Sequence, residues 1–259
     1  MTEGNARILI LDIETAPNIA YVWGAWKQNI GQNQWKEKMH IMSFAAKWLN
    51  EEEVIYEENR TSDDSQLVGK LFTLLDQADI VVAHNGKRFD LPTILGRGLV
   101  NGFPPPSPYW VVDTLLVARK EFRFVSNTLA ALTQEMGVKQ KSQHKKFPGF
   151  ELWLECLRGN DEAWEEMKDY NIDDILSLEE LYLKMRPFIR NHPNVVRTVK
   201  NQEDVCCSKC GSSSIQYRGY YFSKMGIPYR RFRCNDCGGW GRLQTTEKEI
   251  IKNRGRNAT

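Results

Sequence analysis

The segment Arg7-Ile-Leu-Ile-Leu-Asp-Ile-Glu14 constrains this chain most. It sets two acids into a run that otherwise has the apolar, β-branched make-up of a strand. The run stops at Thr15-Ala-Pro17. Side chains alternate along a strand, so Asp12 and Glu14, two apart, emerge on the same face. Two carboxylates buried side by side repel each other and lose hydration, which calls for a compensating cation. The other reading open at this point is that the strand simply ends and both side chains reach water.

Further along, strands give way to strand–helix alternation and then to helices. His40 to Leu49 and Val54 to Tyr56 read as strands joined by the acidic turn Asn50-Glu-Glu-Glu53. Residues 20–40 hold three Trp and many Gln and Asn without clear periodicity, and read as a long loop or strand excursion. Ser65 to Leu75 is helical, with Leu67, Leu71, Leu74 and Leu75 on one face. Asp79-Ile-Val-Val-Ala-His84 is a short buried strand, and a helix follows from about Asp90 with Pro92 in its first turn. Tyr109-Trp-Val-Val-Asp113 is another strand. Helices are expected over Thr114–Glu121, Thr128–Met136 and Asp161–Met185. This order predicts an α/β domain with a mixed sheet. Arg190-Asn-His-Pro-Asn194 reads as a linker to a short Gly- and Cys-rich module.

A chain of 259 residues holds one full domain plus a small module, and 41% hydrophobic content is enough for a core. No apolar run is long enough to cross a bilayer. Met1-Thr-Glu-Gly-Asn-Ala-Arg7 lacks a signal peptide's apolar stretch. The expectation is a soluble cytoplasmic protein with no membrane partner, whose six cysteines are poor disulfide candidates in a reducing compartment. The net charge of +2 hides an asymmetry. From Val205 to the end there are 11 Lys/Arg against 3 Asp/Glu, and the remainder holds 24 against 30. A basic tail on an acidic body points to a polyanion partner, or to a tail that is merely solvated.

Two more acids stand out. Asp90, in His84-Asn-Gly-Lys-Arg-Phe-Asp-Leu-Pro92, follows a buried strand and opens a helix. It is either a cap for free backbone N–H groups or a ligand at the kind of strand–helix junction where open α/β sheets bind theirs. In Tyr170-Asn-Ile-Asp-Asp174, Tyr170 and Asp174 are i,i+4 neighbours on a helix. Asp174 shares the spacing of Met167, Asn171, Leu178, Leu181 and Met185, so it interrupts the stripe that packs inward, whereas Asp173 turns outward.

Together these segments resemble the DEDDy branch of the DnaQ-like 3′→5′ exonucleases. The first motif, D-x-E at the end of the first strand, matches Asp12 and Glu14; the second matches Asn85 to Asp90; the third, Y-x-x-x-D, matches Tyr170 and Asp174. The histidine branch would need His where Asp169 stands. Asp12-Ile-Glu-Thr15 and Phe89-Asp-Leu-Pro92 look closest to the proofreading exonuclease domains of family B DNA polymerases. The resemblance spans about residues 6–188 and implies an RNase H-like α/β fold, a mixed sheet flanked by helices. It also implies two Mg²⁺ or Mn²⁺ ions, to which carboxylates are suited as hard oxygen ligands. Asp12, Glu14 and Asp174 would hold the first ion, Asp12 would bridge to the second, Asp90 would bind that one directly or through water, and Tyr170 would orient the attacking water. Asn85 and Phe89 are expected to touch substrate. The implied activity is 3′→5′ exonucleolysis of single-stranded or frayed DNA, as a free-standing proofreading or repair nuclease serving a DNA polymerase or other replication protein. RNA trimming on the same scaffold is the nearest alternative, and a non-catalytic nucleic-acid adaptor is another.

Cys207-Ser-Lys-Cys210 and Cys234-Asn-Asp-Cys237 form two C-x₂-C pairs, each followed by Gly, 23 residues apart. Four thiolates in this pattern suit one closed, structural Zn²⁺ site. A hairpin turning at Gly226-Ile-Pro228 would fill the gap, while Cys206 leaves a C-x₃-C register open and Cys156 reads as a buried thiol. Between the pairs, Tyr217, Arg218, Tyr220, Tyr221, Arg230, Arg231, Phe232 and Arg233 interleave aromatics with Arg. Such a surface can stack bases and track phosphates, so Arg218, Arg230, Arg231 and Arg233 are candidate nucleic-acid contacts. The alternatives are a tiny aromatic core with solvated Arg, or a protein docking face. Lys139, Lys141, His144, Lys145 and Lys146 form a second basic stretch, either a phosphate-contacting loop or a solvated one. The expected organisation is a nuclease domain over 1–195 and a zinc ribbon with a basic end over 203–259.

Overall fold

A computed structural model describes residues 6–138, 146–196, 205–246 and 250. The chain divides into two compact units, Arg7–Tyr182 and, with Ala6, the described residues from Leu183 onward.

The first unit is built on a mixed five-stranded sheet. Its strands are β1 (Ile8–Thr15), β4 (Ile41–Trp48), β5 (Val54–Glu58), β6 (Ile80–Ala83) and β7 (Trp110–Asp113), in the order β5-β4-β1-β6-β7. β1 lies antiparallel to β4 and parallel to β6. It is therefore central, with apolar residues on both parities, and Leu9, Ile10 and Leu11 are fully buried. Between β1 and β4 the chain leaves the sheet as a two-stranded ribbon, β2 (Ile19–Ala20) with β3 (Trp35–Glu37), which gives definite form to the expected excursion.

One face of the sheet, through Leu9, Leu11, Ile13, Phe44 and Val81, packs on α1 (Ser65–Gln77) and α2 (Asp90–Val100). Leu67, Leu71 and Leu75 of α1 are buried there, the helical stripe expected from their spacing. The opposite face carries Asp12 and Glu14 and is covered by α6 (Asp161–Met185), whose Glu179 takes the buried ammonium of Lys47 at 2.6–2.8 Å. α3 (Thr114–Glu121) and α4 (Leu129–Glu135) follow β7 as expected, capped by Asp113 and Thr128. α5 (Glu151–Leu157) was not expected from the sequence, because seven residues are too few to display a helical period. Cys156, on α5, is buried as anticipated, in a cluster with Trp164 and Met167.

Asp64, fully buried ahead of α1, ties this unit together. Its carboxylate accepts from Ile41 N at 2.9 Å, from Arg97 Nε and Nη2 at 2.7 Å, and from Asn101 Nδ2 at 3.1 Å. Burial alone would push this carboxyl up; the donors of Arg97, Ile41 and Asn101 overcome it and hold it below the usual range. Strand β4 and the end of α2 are thus joined through one side chain. Asp64→Ala leaves Ile41 N–H and the Arg97 guanidinium without their acceptor and should cost about 3 kcal/mol or more, read as a lower denaturation midpoint in urea.

The second unit contains a three-stranded antiparallel sheet, β8 (Ile215–Phe222), β9 (Pro228–Cys234) and β10 (Trp240–Gln244), with β9 central. The β8–β9 turn is closed by Ser223 and Ile227, with Gly226 at φ +77°, and Pro228 already opens β9. Gly241 lies under the buried Phe232 ring: a Cβ there would come within 2.1 Å of it, so only glycine fits. Among the described residues no helix is long and apolar enough to cross a membrane.

Candidate active site

β1 keeps its register with β4 as far as Glu14, opposite Ser43, and pairs on to Thr15 after a bulge, so Asp12 and Glu14 sit inside the sheet and are half-buried rather than beyond its end. On its other edge β1 pairs with β6 only from Ile8 to Ile10. Past that point the edge is open, and Asp90 fills it: its Oδ1 accepts from Ile13 N at 3.3 Å, between the two acids. Asp90 is buried, at the first position of α2. The turn that delivers it is held by Asp113, which accepts from Asn85 N and Lys87 N at 3.1 Å while also capping α3. Asn85 adopts φ +67°, and a Cβ on Gly86 would meet Ala83 Cβ at 2.3 Å, so the chain turns here as tightly as a glycine allows. Phe89 stands exposed beside Asp90.

α6 brings the third motif to the same face. The buried Asn171 amide links sheet and helix, accepting from Ser43 Oγ at 2.6 Å and pointing its Nδ2 at Asp12 Oδ2 at 3.5 Å. One residue back, Tyr170 stands beside Asp174, the i,i+4 pair foreseen from sequence. Trp153 of α5 donates from Nε1 to Glu14 Oε2 at 3.1 Å, and its ring meets that of Tyr170 edge-on, centroids 6.0 Å apart. Sequence reading singled out Asp12, Glu14, Asp90, Tyr170 and Asp174, and the structure brings all five together. It missed Trp153, Ser43 and Asp113 as their supports. Ser43 left a trace, a hydroxyl within an apolar strand, while Trp153 sits on the helix whose period was unreadable.

Charge dominates this cluster. Desolvation by burial, then the fields of Asp90, Glu14 and Asp174, push the Asp12 carboxyl well above its ordinary value. Burial and Asp174 push Glu14 up to about 8, against the lowering effect of the Trp153 N–H. Asp90 and Asp174 are each pushed by burial to about 6, the former also by Asp113 and the latter by Asp173. Burial and the surrounding carboxylates Asp174, Glu14 and Asp12 raise the Tyr170 phenol, which stays protonated as a donor. Among the described residues no Lys or Arg forms an ion pair with any of the four acids. A hard divalent cation fits this set of oxygen donors.

A family model described as the RNase_H superfamily matches residues 9–186, more than half of the chain. The chain belongs to the RNase_H superfamily. No protein of curated function matches it by sequence. Among solved structures, the family B DNA polymerase from the hyperthermophilic archaeon Pyrobaculum calidifontis is similar, with a TM-score of 0.53 at 17% identity, over 71% of this chain and 25% of the polymerase. This superfamily member thus matches about a quarter of the polymerase's length, and at that identity the likeness is one of fold.

The second unit holds a different kind of site. The Sγ atoms of Cys207, Cys210, Cys234 and Cys237 lie within 4.8 Å of one another. They form the one metal-ready group of His, Cys, Asp or Glu among the described residues; the carboxylates are not gathered to that degree. Sulfur separations of 3.7 Å (Cys207–Cys237) and 3.6 Å (Cys210–Cys234) match the roughly 3.8 Å edge of a tetrahedron with Zn–S near 2.3 Å, and are far beyond a disulfide. The two knuckles repeat each other. Gly211 N donates to Cys207 O at 2.8 Å and Gly238 N to Cys234 O at 3.1 Å, with φ of +79° and +73°. Cys206 stays outside the group, which fixes the C-x₂-C register.

Strand alternation divides the candidate arginines of the ribbon. Arg231 and Arg233 share one face of the sheet with Arg242, Trp240, Tyr221 and Tyr229 through their ladder pairs. Arg230 turns to the other face and stacks on Tyr217, its guanidinium carbon 3.5 Å from the ring centroid. Arg218 is exposed in the bulge between Tyr217 and Tyr220. Of the second basic stretch, residues 139–145 lie outside the described residues, and Lys146 pairs with Glu162.

Glu14 carries a proton in the folded state that it has lost in the unfolded chain between its ordinary 4.5 and about 8. Metal-free protein should therefore lose stability as pH rises through that window. In EDTA at pH 8, Glu14→Gln should raise the melting temperature by roughly 3 °C or more, and Mn²⁺ should raise that of the unsubstituted protein. Thermal melts at pH 5 and pH 8 check both.

Proposed function

We propose that the chain is a two-metal 3′→5′ exonuclease of the DEDDy type. It removes nucleotides from the 3′ end of single-stranded or frayed DNA as a free-standing proofreading or repair nuclease of a reducing, cytoplasmic compartment. The observation that carries this reading is the convergence of Asp12, Glu14, Asp90 and Asp174, mutually repelling and, among the described residues, without a basic ion-pair partner, beside a protonated Tyr170. Asp12, Glu14 and Asp174 would hold one Mg²⁺ or Mn²⁺ and Asp12 with Asp90 a second. Such a pair of ions, when bound, supplies activation of water and stabilisation of the leaving oxygen.

The rest falls to the protein's own side chains. Asn171, held by Ser43, fixes the Asp12 carboxylate, and Trp153 fixes that of Glu14. Tyr170 donates a hydrogen bond that orients water at the scissile phosphate. Asn85 and Phe89 flank Asp90 and line the approach of the terminal nucleotide. On this reading the chain comprises a nuclease domain over 1–195 and a zinc ribbon with a basic end over 203–259, the ribbon built on one Zn²⁺ held by the four cysteines. A DNA polymerase or other replication protein is its assigned partner, supported by the resemblance of Asp12-Ile-Glu-Thr15 and Phe89-Asp-Leu-Pro92 to polymerase proofreading motifs.

With 5′-labelled single-stranded DNA and Mg²⁺, the expected product is a ladder shortening from the 3′ end, absent in EDTA. Asp12→Ala should reduce cleavage to background. Tyr170→Phe should slow it up to roughly 100-fold while Mn²⁺ affinity by calorimetry stays unchanged. Faster degradation of matched RNA would move the reading to an RNA exonuclease, and no cleavage of either strand would leave the adaptor.

Arg231, Arg233 and Arg242, with the exposed Trp240, give the ribbon a cationic, stackable face without a facing acid in its ladder pairs. In an Asp12→Ala background, replacing these three arginines by Ala should reduce the slope of log affinity against log salt on single strands by roughly 0.7 for each phosphate no longer neutralised. Arg230→Ala should leave the slope nearly unchanged. Equal slopes for all variants would assign this face to a protein partner.

A further inference from the structure

The excursion between β1 and β4 is closed at its base and bare at its tip. Ala16 N donates to His40 O at 2.9 Å, so the excursion leaves and rejoins the sheet two residues beyond Glu14. Above that base, Ile19 and Ala20 pair with Glu37 and Trp35. Gln34 then seals a neck: its Nε2 donates to Tyr21 O at 2.9 Å, its Oε1 accepts from Gly31 N at 2.7 Å, and its backbone O accepts from Tyr21 N at 2.9 Å. The chain past the neck is held open to solvent with its apolar groups outward. Trp23 is 100% and Trp26 86% exposed, next to an exposed Tyr21. Burying such rings is worth so much that two of them left in water on a hydrogen-bonded ribbon have no structural purpose within this unit.

Composition says what they face. From Ala16 to Lys36 there is no Asp or Glu, in a part of the chain where acids outnumber bases. The same stretch supplies Lys27 and the amides of Asn18, Gln28, Asn29, Gln32, Asn33 and Gln34, while Lys36 pairs with Glu37 at the ribbon's base. Indole rings, amides and a positive balance are what unpaired bases on a phosphate chain require, because every base offers a π-face and the phosphates exclude acids. The base of the ribbon also stands at the end of β1 that carries the carboxylates.

We propose that the Tyr21–Trp26 tip is a base-stacking clamp for single-stranded DNA, in which Trp23 and Trp26 grip unpaired bases adjoining the 3′ end presented to Asp12 and Glu14. The inference rests on the nuclease reading for its choice of DNA. The clamp gives affinity without sequence preference, since stacking tolerates any base.

The test is a binding titration of full-length protein carrying Asp12→Ala, which prevents digestion, against a 5′-fluorescein oligodeoxythymidylate in Mg²⁺. Adding Trp23→Ala and Trp26→Ala should weaken binding by roughly tenfold or more for each stacked ring, with the melting temperature unchanged because both side chains are exposed. Trp23→Phe should weaken it less than Trp23→Ala, because a smaller ring still stacks. An oligonucleotide with abasic residues at its 3′ end should bind the Trp-containing protein as weakly as the intact one binds the double variant, and the double variant should lose nothing further on it. Equal affinity with and without the two indoles, or no binding by either protein, overturns the clamp. Hydrolysis of the same oligonucleotide by the unsubstituted chain, measured separately, decides the nuclease reading on its own.

Discussion

Four carboxylates packed around the end of one strand, with no ion-pair partner among the described residues, set the terms for the first unit. Such a cluster is unfavourable in every protonation state that leaves it charged, and burial pushes each member above its ordinary range. It persists because its members belong to separate elements, each fixed by interactions that do not depend on the cluster. Asp12 and Glu14 are carried by the central strand, Asp90 by a turn that Asp113 holds, and Asp174 by a helix docked through Asn171 and Glu179. The surrounding fold supplies the stability that the cluster itself does not.

The sheet topology makes this possible. A central strand with a long antiparallel neighbour and a short parallel one is rigid on one edge and open on the other for its last residues. Asp90 enters through that open edge and accepts the Ile13 N–H that no strand takes. A longer β6 would have paired with Ile13 and excluded Asp90. The place where the ladder stops is therefore as important to the site as the residues within it.

The second unit is organised by sulfur rather than by burial. Its sheet has one fully enclosed aromatic, Phe232, over Gly241, and its remaining rings are partly or wholly exposed. A core of this size cannot hold three strands alone, and a metal held by the four thiols, which two matching knuckles arrange at tetrahedral spacing, would supply what it lacks. Freed from forming a core, its outer face can carry arginines and rings for another molecule.

The sequence by itself determined the elements and the chemistry. Apolar, β-branched runs marked β1, β4 and β6, helical spacing marked α1 and α6, and the acids that broke them were legible because a carboxylate on an inward stripe is costly enough to need a reason. The cysteine spacing was equally plain, since four thiols in two short pairs suit a metal. Only the tertiary structure decided which neighbours hold those groups and which way the rest face. Trp153 reaches Glu14 from a helix too short to show a period, and Ser43 and Asn171 meet across 128 positions of sequence. Arg230 parts from Arg231 and Arg233 because pleating sends consecutive side chains to opposite faces, and no composition tells on which side of a sheet the core lies. Trp23 and Trp26 lie in a stretch without a period, and only the neck at Gln34 decides that they stand in solvent. Local pattern fixes what a residue prefers; which neighbours meet it depends on contacts between distant segments, and these exist only once the chain has folded.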